Sequence, residues 1–75
     1  MEKALEEKLI SMILRDIREI SNSEDSITKK YYDCYNYLNL IIDTDANNVS
    51  EWLLNELYTQ RLYYHHKYLV NKDLL

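Results

Sequence analysis

The run VSEWLLNELYTQRLYYHHKYLVNK, residues 49–72, decides the fold class. It holds no glycine or proline, and Leu53, Leu54, Leu57, Arg61, Tyr64 and Tyr68 recur at the three- and four-residue steps that keep side chains on one face of a helix. A long helix over residues 49–72 is therefore predicted, with that face toward a core. Asn48, followed three residues later by Glu51, has the pattern of a capping box and is expected to start it. A second stripe, Trp52, Thr59, Tyr63, His66 and Val70, runs along the same segment at alternating steps of about seven, four and three residues, the spacing of a second contact seam.

Working toward the N-terminus, Asp43 to Asn48 is polar and is expected to be a connector. Before it, Ile27, Tyr31, Cys34, Leu38 and Ile41 form a stripe with Tyr35, Tyr37 and Ile42 at its margins, which predicts a helix over about 24–42. Tyr32 and Leu40 fall on its other, mostly polar side and have no evident partner within the chain. Ser21 to Ser26 is a polar connector in which Ser23, or else Ser26, is expected to cap that helix. From Glu2 to about Ile20, Leu5, Leu9, Ile13, Ile17 and Ile20 repeat with helical spacing, flanked by Ile10, Leu14 and Met12. That apolar arc covers roughly half the circumference at 100° per residue, enough to contact two neighbours. The expected fold is all-α, a small three-helix bundle of helical hairpins with a long C-terminal helix.

The 75 residues make one domain, near the lower limit of what a single core stabilises without disulfides or metal. A second copy or another protein that buries further apolar surface is expected. The absence of Gly and Pro across the whole chain argues against hairpin-based sheets. A net charge of −4 with scattered basic residues argues against a phosphate-binding surface, so no nucleic acid is expected. The single cysteine fits a reducing compartment, and neither a leader-like N-terminus nor a membrane-length apolar run is present; the expected location is the cytoplasm of a cell or an infected host. Abundant Ile, Asn, Lys and Tyr beside scarce Ala suit an AT-rich coding sequence of the kind phages and mobile elements carry. That bias does not explain eight tyrosines and no phenylalanine.

Four patterns bear on chemistry. Asp43, Thr44, Asp45 and Asn47 match the first half of a calcium loop, but position six is Asn48 where Gly is needed and position twelve is Leu54 where Glu is needed, so an Asx-rich turn is expected. His65 and His66 are adjacent and diverge by about 100° on a helix, which does not make a metal pair. Cys34 lies mid-helix on the apolar stripe with no activating neighbour, the placement of a core thiol. Arg61 and His66 resemble the arginine, four residues, histidine spacing of the HEPN group of helical ribonucleases, and that resemblance implies RNA cleavage; on one helix the two would point about 140° apart.

The tyrosines and Trp52 supply more amphipathic aromatic area than three helices can bury with every hydroxyl satisfied, and such residues are enriched at protein interfaces. The expected function is therefore a non-catalytic protein-binding module, a small regulator, inhibitor or adaptor, with no cofactor, no metal, no membrane contact and no small-molecule substrate. Its expected contact residues are Trp52, Tyr63, His66 and Val70, with Tyr32 as a second element. The alternative is a nucleic-acid binder or HEPN-like ribonuclease using Arg61 and His66.

Overall fold

The computed structural model describes residues 3–74. It is all-helical, with three α-helices packed together: α1 (Lys3–Ser21), α2 (Ile27–Asp45) and α3 (Glu51–Asn71). The expected start of the first helix at Glu2 lies outside the described residues.

Both interhelical boundaries are set by serine caps. Ser26, in an extended conformation, accepts a hydrogen bond at its Oγ from the Lys29 N–H at 3.2 Å, so the later of the two candidate serines starts α2. Ser50 does the same for Leu53 N–H at 3.3 Å, and the expected Asn48–Glu51 capping box does not form. The reason lies in packing. Val49 and Leu54 occupy the N′ and N4 positions of a hydrophobic staple and both pack against the core, which leaves Ser50 between them as the cap. Ser50 Oγ also donates to Glu6 Oε1, tying the start of α3 to α1. At the other end of that connector, α2 continues three residues past Ile42, so Asp43, Thr44 and Asp45 are helical and no calcium-type loop exists there. Thr44 Oγ1 donates back to the Leu40 carbonyl at 2.7 Å, satisfying a hydroxyl that a loop would have left to water.

The C-terminus of α3 closes with a Schellman arrangement, Leu74 N–H to Leu69 C=O at 2.9 Å and Asp73 N–H to Val70 C=O at 3.1 Å. Asp73 has φ 58°, the left-handed position that glycine usually takes and that Asp tolerates better than most residues.

Tyr31 meets Tyr64, Tyr35 meets His65 and Asn39 meets Arg61, so α2 and α3 run antiparallel. Their packing is the closest in the molecule, and α1 lies against α2. The result is flattened. The Cα framework measures 41 × 25 × 15 Å, whereas a closed triangular bundle would have two similar short dimensions. With α2 central, α1 and α3 are held apart, and the wide apolar arc of α1 is only partly used. Ile13 is buried and Leu9, Ile10, Met12 and Ile17 pack against the core, but Leu5 and Leu14 are exposed. Ile27, expected on the buried stripe of α2, is exposed too, one residue past the cap.

Among the described residues the buried ones are Ile13, Cys34, Leu38, Ile41, Ile42, Leu53 and Leu57, and none is polar or charged. A second polar tether joins α1 to the hairpin: Tyr37 Oη donates to Asp16 Oδ2 at 2.6 Å. That bond holds the Asp16 carboxyl below its ordinary value near 3.8, while burial and the Asp16 charge push the Tyr37 hydroxyl well above its ordinary value near 10. The signs are opposite. Asp16, lowered in the folded state, contributes stability above about pH 4 that disappears as pH falls; Tyr37, raised, contributes stability below about pH 10 that disappears as pH rises. Tyr37→Phe is therefore expected to melt earlier than wild type between about pH 4 and 10, with the gap narrowing at either extreme. Thermal melts at pH 3, 7 and 10.5 check it, and a pH-independent gap would assign the effect to packing alone.

Candidate interaction surfaces

The separation of α1 from α3 opens an apolar groove of about 240 Å³ between them. Its α1 wall is Ile10, Ile13, Leu14 and Ile17, and its α3 wall includes Trp52, Leu57 and Tyr64, with Glu56 and Gln60 at the rim. Leu14 and Trp52 are 60% and 65% exposed. Exposed leucines are ordinary when solitary, but here two large apolar side chains border a common depression. Burial in this region pushes the Tyr64 hydroxyl up from its ordinary value.

Trp52 also begins the outer stripe of α3. Trp52, Tyr63, His66 and Val70 are all exposed, as their spacing predicted, and lie within a narrow sector of the helix at 100° per residue. Tyr63 is braced there. Its ring packs edge-on against Tyr64 at 5.1 Å between centroids, and Lys67 Nζ lies 5.6 Å from its centroid. An aromatic already held on both sides loses little rotamer freedom on docking.

Tyr32 does not join this stripe. It packs on Tyr68, centroids 5.0 Å apart, at a position about 160° around α3 from Trp52. The expectation that Tyr32 lacks a partner within the chain is thereby corrected: α3 extends far enough to contact it, although Tyr32 stays exposed.

The hairpin also carries an aromatic cleft lined by Tyr35, Tyr58, Arg61, Leu62 and His65. Tyr35 and His65 stack at 4.6 Å and 22°, Arg61 Nη1 donates to Asn39 Oδ1 at 3.1 Å, and the guanidinium lies 5.0 Å over the Tyr58 ring. Arg61 thus holds the edge of the hairpin by an amide and a ring, without a carboxylate. His66 is not part of this lining. The histidine that shares a cleft with Arg61 is His65, four residues on, so the structure does not bring the HEPN-like pair Arg61 and His66 together.

Leu62 and His65 were missed in the sequence because a single helical projection does not reveal which neighbour covers its margins. Ile10 and Leu14 were visible only as an arc too wide for one contact. Cys34 is 1% exposed, and burial pushes its thiol up against a smaller opposing effect of a hydrogen bond with Ser21, the reverse of nucleophile activation. Among the described residues no three His, Cys, Asp or Glu side chains gather as a metal site, and no helix is long and apolar enough to cross a membrane.

No family model, curated protein or solved structure matches this chain.

Proposed function

We propose that the chain is a non-catalytic protein-binding module, a small regulator, inhibitor or adaptor built on a three-helix bundle, that docks through Trp52 and the surface on either side of it. The observation that carries this is the exposed Trp52 standing between the open α1–α3 groove and the outer stripe of α3. An amphipathic helix from a partner fits such a groove by inserting apolar side chains at three- and four-residue steps. Large aromatic anchors at a groove are where binding energy concentrates. The flattened arrangement supports the same reading, since a fourth helical element would cover surface that α1 and α3 leave open.

The test is the double variant Trp52→Ala/Tyr63→Ala. It is expected to keep the helical circular-dichroism signal of wild type while losing at least tenfold in partner capture from extracts of the native host, because each truncation of an interface anchor costs more than ~1 kcal/mol. Capture unchanged by the double variant would overturn the surface, and loss of helicity would place the two rings in the core. A second reading draws on the Tyr35, Tyr58, Arg61 and His65 cleft, whose rings and guanidinium suit stacking of nucleic-acid bases. Steeply salt-dependent RNA or DNA binding would favour it over protein docking.

A further inference from the structure

The outer stripe of α3 is self-complementary, and we infer that its partner is a second copy of this chain, paired through α3 against α3 in antiparallel register. This rests on the protein-binding reading above and names the partner for the outer-stripe side of Trp52, not for the α1–α3 groove.

Along the exposed sector the residues are Trp52, Glu56, Thr59, Tyr63, His66 and Val70, at steps of four, three, four, three and four. That order is the same read from either end, so a two-fold axis beside residue 61 faces Trp52 with Val70 of the second copy, Glu56 with His66, and Thr59 with Tyr63. A seam alternating three and four residues is what packs one helix along another. Isologous pairing uses the same patch on both copies, and this patch satisfies that condition.

Charge selects the direction. On the exposed side of α3 the carboxylate Glu56 lies in the first half of the helix and the cation Lys67 in the second. Antiparallel pairing brings the acidic half of each helix over the basic half of the other, placing Glu56 beside Lys67 of the second copy. A parallel pair would set like charges side by side, which is unfavourable across a close interface. Lys67 is already held on the stripe beside Tyr63. The apolar pair, Trp52 over Val70, closes both ends of the seam, and both residues are exposed in the single chain.

The experiment is sedimentation equilibrium from about 5 µM to 1 mM at low salt on four proteins: wild type, Glu56→Lys, Lys67→Glu, and the double swap E56K/K67E. Of the two residues concerned Glu56 is exposed and Lys67 half-buried, with no buried partner, so each variant is expected to fold, and circular dichroism verifies this. Wild type is expected to double in mass with concentration. Each single swap is expected to weaken pairing about tenfold or more, and the double swap to restore it to within a few-fold of wild type. Residues 56 and 67 are too far apart on one helix to rescue each other within a chain. A wild type that stays monomeric at 1 mM, or a double swap that pairs no better than the singles, would overturn the inference. If wild type is monomeric while the Trp52→Ala/Tyr63→Ala variant loses capture of another protein, self-pairing falls and the protein-binding reading stands. If the charge rescue succeeds but that variant pairs as tightly as wild type, the antiparallel seam with its apolar ends is overturned as drawn.

Discussion

Leu38→Ala is expected to leave the chain largely unfolded at physiological temperature. Leu38 is 1% exposed at the centre of α2, the one helix packed against both others, and its neighbours in the core come from all three helices. Truncating a fully buried leucine costs ~2–5 kcal/mol, the lost transfer energy plus the cavity. A domain this small gains only about 3–5 kcal/mol in all, so the substitution consumes most of the margin. In thermal melts a loss of about 3 kcal/mol corresponds to a drop of roughly 12–24 °C. Leu38→Met, which nearly conserves volume, is expected to cost less than about 1.5 kcal/mol and serves as the control. If Leu38→Ala melts within a few degrees of wild type, the core does not centre on α2. At concentrations where copies pair, the loss would be partly masked by mass action, so the comparison belongs at micromolar protein or below.

The second large effect concerns Cys34. Its thiol is enclosed and pushed toward the unreactive protonated form, so alkylation requires the helices to part. Where opening and closing are fast relative to labelling, the rate follows the population of the open state. With about 3–5 kcal/mol of stability, labelling in the folded chain is expected to be slower than in urea by on the order of 10²–10⁴. The same measurement separates a structural thiol from a catalytic one. Labelling as fast as in the unfolded chain would show an accessible, activated sulfur. Leu38→Ala should abolish most of the protection, and that coupling ties the two predictions to one unfolding event.

Helix existence was legible because helical periodicity is local. Leu53, Leu57 and Tyr64, or Cys34, Leu38 and Ile41, declare a face by spacing alone, and polar runs without glycine or proline mark where the chain turns. The outer stripe of α3 was legible for the same reason: Trp52, Tyr63, His66 and Val70 are exposed as their phase requires. Whatever depended on a neighbouring helix was not. Val49 packs into the core and so moves the α3 cap from Asn48 to Ser50, a shift that no property of Asn48 itself announces. Tyr37 reaches Asp16 across 21 positions of chain, and Arg61 finds Asn39 on α2 and the Tyr58 ring. α2 packs against both α1 and α3, while those two do not pack closely on each other. Phase along a helix follows from sequence, whereas the distance between helices follows from how their side chains fit together, and here that distance creates the groove beside Trp52.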